Sequence, residues 1–381
     1  MLPARKTHRS SLADVMPSCL ASVLGRPNVL ALPPVEKAVV LLVDGLGASS
    51  LRARAGHSRT LAPLLSKATT IVAGFPTTTA ASLATLTTGV QPGVHGLVGY
   101  TALDTANDRI VNQLSGWDSG LDPASWQRAR TVFEQARDLG LPSFTIGDER
   151  YRNSGFTAAV LRGAEYRSGA SIADRLDEAR RALDSAESAL VYVYVPELDQ
   201  AGHSSGWQSL EWTRQLEAVD AAARAFAATL GRREGLLVTA DHGILDVPRR
   251  SHVLFDSEPG LVDGVRFVAG EPRCLQLHFQ CDASEQHRAA VIQRWRTVEG
   301  DRAVVLSRSE AVESGWFGPV VEAEVAPRIG DILVAARKGI AYYDSRAASQ
   351  QGRKMVGQHG SWSPDETNVP LLRLGAYAGS S

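Results

Sequence analysis

The chain has 381 residues, of which 44% are hydrophobic, and its 40 Lys and Arg nearly balance 41 Asp and Glu for a formal net charge of -1. A chain this long and this apolar buries a sizeable core as one large domain or two unequal ones, which excludes a disordered chain or a mini-protein. Near-neutral charge without a Lys/Arg block excludes the electrostatic footprint of a protein that binds a nucleic-acid polymer or a membrane surface, and leaves a small polyanionic substrate open.

The first 25 residues carry basic side chains, but Asp14 and Pro17 interrupt any continuous apolar segment, so no secretory signal is expected. Further along, short β-branched runs alternate with longer amphipathic segments, the pattern of an α/β fold with a largely parallel central sheet and helices on both faces. The predicted strands are AVVLLV (38–43), TTIVA (69–73), SFTIG (143–147), ALVYVYV (189–195) and GLLVTA (235–240). Helices are predicted at about 9–24, 60–67, 79–88, 123–139, 170–185 and 206–229. After about residue 247 the texture changes to strands and a hairpin around one helix at about 284–298. An inserted α+β cap over 248–344 is therefore expected, with 1–247 and 345–381 forming the core. Cys19, Cys274 and Cys281 are widely spaced and contain no CxxC, so neither a disulfide framework nor a thiolate metal site is expected and a reducing, cytoplasmic location is. The longest apolar runs fall far short of the roughly 20 residues that a membrane-spanning helix needs.

Three predicted strands end in an acid: VVLLVDG carries Asp44, VYVYVPELD carries Asp199, and LLVTADHG carries Asp241 followed by His242. Ligands of open α/β sheets bind at the carboxyl ends of strands. A lone Asp there is commonly a helix N-cap, but three converge and histidines accompany two of them. Asp199 and His203 stand at i, i+4 in DQAGH, so one helical turn would aim both the same way. Imidazole with carboxylate suits Zn²⁺, with Mn²⁺ or Fe as alternatives. In FPTTTAASLATLTTG, Thr79 lies where an extended run gives way to a helix closed by Gly89. Such a hydroxyl is either a plain cap or a nucleophile facing the positive helix end, and metal coordination is one way to activate it.

In order, a strand ending Asp-Gly, FPTxT opening a helix that ends in TG, PxxHG, Asp-x3-His after a strand, ADHG and a late HG resemble the type I phosphodiesterase/nucleotide pyrophosphatase family of the alkaline phosphatase superfamily. The resemblance covers most of the chain outside the cap. It implies two divalent ions, Zn²⁺ with Mn²⁺ as the alternative, one among Asp44, Thr79, Asp241 and His242 and the other among Asp199, His203 and His359. It further implies that Thr79, matching the second threonine of PTxT, attacks phosphorus to form a phospho-threonine intermediate in the hydrolysis of a phosphodiester or pyrophosphate bond of a small phosphorylated substrate. Thr77 and Thr78 are near alternatives for that role. Where the family has an asparagine after PxxHG to hold a phosphate oxygen, this chain has Tyr100. Tyr100, Asn112 and the backbone N–H of Ala80 are the candidate donors in its place. Ala80 also replaces the aromatic residue that stacks on a nucleobase in the family. Tyr151, Phe156 and Trp117 are candidates to line a pocket, and His95 is expected to be structural. Competing readings are a phosphomonoesterase or phosphonate hydrolase on the same site and a non-catalytic metal-binding protein. A sulfatase would need Cys or Ser in a C/S-x-P-x-R setting, and no cysteine lies near Thr79.

Overall fold

The computed structural model of the chain describes residues 10–379, so the first residue of the helix predicted at 9–24 lies outside the described residues. Five of the sheet's strands coincide with the apolar runs. A 7-stranded sheet has the order Thr70–Val72, Asn368–Gly375, Glu234–Thr239, Lys37–Val43, Ala189–Val195, Ser143–Gly147, Glu165–Ser168. The five strands from Glu234–Thr239 to Glu165–Ser168 run parallel, and Asn368–Gly375 is antiparallel to both of its neighbours. The central strands are buried along almost their whole length, so helices and loops cover both faces.

This order decides where the acids meet. The strands that precede Asp241, Asp44 and Asp199 are immediate neighbours, with Lys37–Val43 in the middle and its Val43 level with Val195. Neighbouring strands lie about 4.8 Å apart, so three carboxylates at one end of these three strands share a single small volume.

A second, antiparallel 6-stranded sheet has the order Ala303–Ser307, Ile332–Ala336, Cys274–Phe279, Val265–Glu271, Thr101–Asp104, Arg109–Asn112. Four of its strands come from residues 248–344, while the hairpin Thr101–Asn112 arrives from the N-terminal part of the chain and joins through Gly270 and Thr101. The predicted helix at 284–298 is Glu285–Glu299. One apolar cluster joins the two layers: Phe75, just before the threonine run, touches the rings of Trp316, Phe317 and Trp362.

Two predicted helices differ. The stretch 60–67 holds only the single 3₁₀ turn Ala62–Leu64, with Pro63 inside it. The stretch 123–139 is broken into Pro123–Trp126 and Val132–Asp138, because Thr131 caps a new helix by accepting the N–H of Glu134 while Glu134 returns the bond to the Thr131 N–H. Among the described residues no helix is long and apolar enough to cross a membrane.

The helix Leu210–Ala227 buries Trp212, Leu216, Val219, Ala223 and Phe226. Its Asp220 is buried too, and its carboxylate accepts from Ser58 Oγ (2.7 Å), Leu61 N (2.8 Å) and Thr60 N (3.0 Å). Asp220→Ala would leave all three donors without an acceptor. It is expected to cost about 3 kcal/mol, seen in urea unfolding as a lower midpoint at unchanged slope; a wild-type midpoint would show that these bonds contribute nothing.

Candidate active site

Asp44 follows its strand directly, and its backbone N–H bonds Val195 O at 2.9 Å. Gly45 turns the chain there with φ +74, and an added Cβ would come within 3.1 Å of Asp199, so a side chain would push the two acids apart. The helix Glu197–Ser205 begins two residues after its strand and brings Asp199 and His203 onto one side as their i, i+4 spacing predicts. Thr79 is the first residue of the helix Thr79–Thr88, and Thr78 stands at the N-cap without a side-chain capping bond.

Two clusters result. In the first, His242 Nε2 lies 3.1 Å from Thr79 Oγ1 and 3.4 Å from both Asp44 Oδ1 and Asp241 Oδ2. In the second, His203 Nε2 lies 3.2 Å from Asp199 Oδ2 and 3.2 Å from His359 Nε2, which is 3.9 Å from Asp199 Oδ1. The clusters touch, since the rings of His242 and His359 stack with centroids 3.6 Å apart. Within each cluster one ligand-type atom per Asp or His lies within 4.8 Å of the others.

The other ring nitrogen of each histidine faces a backbone carbonyl: Nδ1 of His203 to Gly357 O (2.8 Å), of His359 to Thr77 O (2.7 Å) and of His242 to Gly243 O (3.2 Å). A nitrogen facing a carbonyl carries the proton, so each Nδ1–H donates and each Nε2 is left as the inward atom, the arrangement that orients metal-ligating imidazoles. Asp44 Oδ1, Asp199 Oδ1 and Asp241 Oδ2 are buried and accept no hydrogen bond. Inward lone pairs at this density, unsatisfied by any protein donor, fit two divalent cations.

The titration of these groups follows from the same crowding. Burial, then the charges of Asp241 and Asp199, hold the Asp44 carboxyl well above its ordinary range, while the Tyr194 hydroxyl donates to Asp44 Oδ2 at 2.5 Å. Burial and the Asp199 charge push Asp241 up to about 6. Burial also raises Asp199, but His203 and then His359 outweigh it and keep this carboxyl below the usual range. Burial lowers His203, yet the Asp199 charge lifts it to about 9, while burial takes His242 down to about 4 and His359 to about 3. Without a cation, protons on His203 and on the Asp44/Asp241 pair therefore occupy the places that a cation would take.

Beside Thr79 a cavity of about 240 Å³ opens between the parallel sheet and the helices. Leu83, Ile146, Phe156 and Val160 are among its walls, with Tyr151, Tyr166, Tyr192 and Tyr194, and no Lys or Arg lines it among the described residues. Tyr166 OH donates to Asp148 O, whereas the buried hydroxyl of Tyr192 has no partner.

All seven predicted ligand positions thus come together. Thr77 is turned away, its hydroxyl donating to Ser361 O (2.8 Å) and accepting from Gly360 N (3.0 Å). Tyr100 and Asn112 do not line the cavity. Tyr100 is 39% exposed, and Asn112 Oδ1 accepts from Leu114 N and Ser115 N, closing the turn after its own strand. Tyr151 and Phe156 line the cavity, and Trp117 instead donates to Gln113 O. His95 is fully buried against Thr85 Oγ1 and Leu97 N, consistent with a structural place. Tyr192 and Tyr194 carry no motif signal. Their cue is the alternation YVYV in the strand before Asp199, which aims both to one face.

A parallel α/β sheet with paired His/Asp clusters at the carboxyl ends of its central strands, beside a helix-initiating threonine, defines an alkaline phosphatase-like fold with candidate metal sites. The sequence profile of the type I phosphodiesterase/nucleotide pyrophosphatase family matches residues 38–362. The chain belongs to that family of metal-dependent hydrolases, enzymes acting on phosphoric ester or anhydride bonds. A search of curated protein sequences finds no match. Among solved structures, phosphonoacetate hydrolase from Sinorhizobium meliloti 1021 in complex with phosphonoacetate is similar at TM-score 0.67 and 17% identity over 90% of this chain and 91% of that one. Human ectonucleotide pyrophosphatase/phosphodiesterase 5 is similar at TM-score 0.65 and 16% identity over 89% and 88%. An inactive form of the murine protein, in complex with AMP, is similar at 0.64 and 15% over 90% and 88%. At these identities the likeness establishes the fold.

Cation binding to the clusters must expel the protons held by His203, Asp241 and Asp44. Since these groups are raised, with Asp241 at about 6 and His203 at about 9, affinity for Zn²⁺ is expected to climb as pH rises through 6 to 9 and to level off above. Calorimetric titration at pH 7 in buffers of different ionisation enthalpy should report release of about one to two protons; a heat independent of buffer would contradict this account of the pocket.

Proposed function

We propose that the chain hydrolyses a phosphodiester or pyrophosphate bond through a threonine nucleophile and two divalent cations, Zn²⁺ or Mn²⁺. The observation that carries this is the position of Thr79: its hydroxyl meets His242 Nε2 in the first cluster and also borders the cavity. Asp44, Thr79, Asp241 and His242 would hold one cation and Asp199, His203 and His359 the other. When bound, the cations supply a lowered hydroxyl pKa and neutralise charge on the attacking and departing oxygens.

Thr79 Oγ1 gives up its proton to solvent and attacks phosphorus in line, the P–O bond to the leaving group breaks, that oxygen takes up a proton from solvent, and a phospho-threonine forms. Water then attacks the same phosphorus and returns the hydroxyl to Thr79. The first turn of Thr79–Thr88 has no side-chain cap, so its N–H groups, with that of Ala80 among them, are available to a phosphate oxygen. The loop 359–361, bonded to Thr77, keeps His359 close to the nucleophile segment.

The lining favours a diester over a monoester or a phosphonoacetate-like substrate. A monoester presents extra negative charge that a cation would have to grip, and the cavity, lined by apolar and tyrosine side chains with Ser154, Thr157, Gln200 and the cluster's own Asp44 and Asp199, offers no Lys or Arg among the described residues. An uncharged organic arm fits such walls. Metal-loaded protein is expected to turn over bis-p-nitrophenyl phosphate faster than p-nitrophenyl phosphate, to lose turnover in EDTA, and to lose on the order of 10³-fold or more in Thr79→Ala. Faster monoester turnover would overturn the diester assignment, and two bound cations without turnover of either would make this a metal-binding protein. The unpartnered Tyr192 hydroxyl supplies a second check: Tyr192→Phe should raise KM about tenfold for an aryl diester whose arm ends in a hydrogen-bond acceptor and leave a plain phenyl arm unaffected, whereas equal effects on both arms would remove Tyr192 from substrate recognition.

A further inference from the structure

His359 rides on the segment between the short strand Gly357–Gln358 and the helix Pro364–Thr367, and that segment has no regular structure of its own to fix the ring. Two sets of contacts hold it. On the nucleophile side, Thr77 accepts from His359 Nδ1–H and Gly360 N–H and donates to Ser361 O. On the opposite side the contacts run through Glu366, of the helix Pro364–Thr367, to the antiparallel sheet. The Glu366 carboxylate accepts from Ser361 N (2.9 Å) and Ser363 N (3.2 Å), so the segment folds around this one anion. Arg273, in the turn between the strands Val265–Glu271 and Cys274–Phe279, grips the same carboxylate through Nε at 2.7 Å and a terminal guanidinium nitrogen at 2.8 Å, with both side chains fully buried. The other terminal nitrogen of Arg273 donates to Lys338 O and Ile340 O, which ties the guanidinium to the sheet.

The same turn presses on the segment a second time. Gly360 has φ +132, and a Cβ built there would lie 2.4 Å from Cγ of Glu271. Ser361 Oγ also donates to Ala336 O, at the end of the strand Ile332–Ala336. The His359 segment is therefore clamped between Thr77 and the hairpin turn Glu271 to Arg273.

We propose that Arg273 is a positioning residue for the Asp199, His203 and His359 cluster, acting through the Glu366 carboxylate. This rests on the reading of that cluster as a cation site. Packing alone does not call for a buried ion pair, since apolar residues of similar volume stabilise a core as well or better. A planar guanidinium in bidentate contact does what an apolar residue cannot: it keeps Glu366 ionised and oriented, so that its oxygens hold the Ser361 and Ser363 N–H groups and thereby fix the direction of His359 Nε2. Without Arg273 the carboxylate has no cationic partner, and those N–H bonds loosen. Metal coordination tolerates displacements of only about 0.2 Å. The first cluster depends on Glu366 differently. Gly243, next to His242, donates to the Glu366 backbone carbonyl at 2.8 Å, a bond that a change of side chain at 273 leaves in place. The effect of losing Arg273 should accordingly fall on one cluster.

The full chain, freed of metal, is titrated with Co²⁺ and followed by visible absorption, and Zn²⁺ content is measured after dialysis. Wild type is expected to bind two equivalents. Arg273→Met should weaken one equivalent 10- to 100-fold, the range for groups that orient metal ligands, and leave the other within about twofold. His359→Ala should remove the same absorption band, and Arg273→Lys should fall between Met and wild type. If Arg273→Met binds both equivalents like wild type, or weakens both alike, the positioning role is wrong, even if its melting temperature falls. If Arg273→Met does not fold, as near-UV circular dichroism would show, Glu366→Gln is read by the same criteria. Fewer than two equivalents in wild type would instead overturn the two-cluster reading itself.

Discussion

Asp44 and Asp241 just past the ends of two neighbouring strands, and Asp199 in the helix that follows a third, meet in one place, each with a buried oxygen that accepts no hydrogen bond. Buried carboxylates so placed repel and resist ionisation, and the raised Asp44 and Asp241 carboxyls express that cost. Asp199 is relieved by pairing with His203, but His242 and His359 add to the cost, because their Nδ1–H groups are spent on backbone carbonyls and burial keeps their inward Nε2 atoms unprotonated. A set of groups that is mutually unfavourable when empty is kept together only by a scaffold that leaves it no room to relax. The parallel sheet supplies that scaffold, since strands in register cannot separate their ends without giving up ladder bonds on both sides.

The outer contacts serve the same constraint. Tyr194, projecting from the strand before Asp199, donates its hydroxyl to Asp44 and so joins two of the acid-bearing strands across the cavity. Thr77, whose hydroxyl is taken up by bonds to Gly360 and Ser361, links the Thr79 segment to the His359 segment. The antiparallel sheet reaches the same segment from the other side through Arg273 and Glu366. Two threonines apart by a single residue thus divide the work, with Thr79 facing the cluster and Thr77 bracing it.

What could be read from the chain depended on how local the cause was. Strands buried on both faces are continuous apolar runs, and an Asp at the end of one or just beyond it is visible, so Asp44, Asp241 and Asp199 are legible. His203 follows from a spacing of one helical turn. The identity of the second histidine cluster rested on family resemblance, because nothing local connects His359 with His203, 156 residues away. The Arg273–Glu366 pair, separated by 93 residues, left no trace at all. Tyr100 and Asn112 are oxyanion-donor candidates only by position in the chain: neither lines the cavity, Tyr100 is exposed, and the Asn112 amide is held in its own turn by two N–H groups that donate to Oδ1. The break in the helix at 123–139 did have a local cause, the Thr131 and Glu134 capping box, whose signal is weaker than the apolar periodicity running through it.

The cavity beside Thr79 places the remaining weight on binding rather than on charge. Along its aromatic and aliphatic walls the gain comes from removing an organic group from water, at roughly 25 cal/mol per Å² of apolar surface. Charge on the substrate is then best confined to the phosphoryl group itself, where the two clusters and the helix N-terminus lie. Under the proposed diester reading, a substrate with a single negative phosphoryl charge and an uncharged arm would divide in the same way as the site does, into a part for the clusters and a part for the tyrosine-bearing wall. A second anionic group on the arm would have to be desolvated against Leu83, Ile146 and Phe156 with no cationic partner in the lining. The fold shared with phosphonoacetate hydrolase at 17% identity therefore carries no implication of a shared substrate.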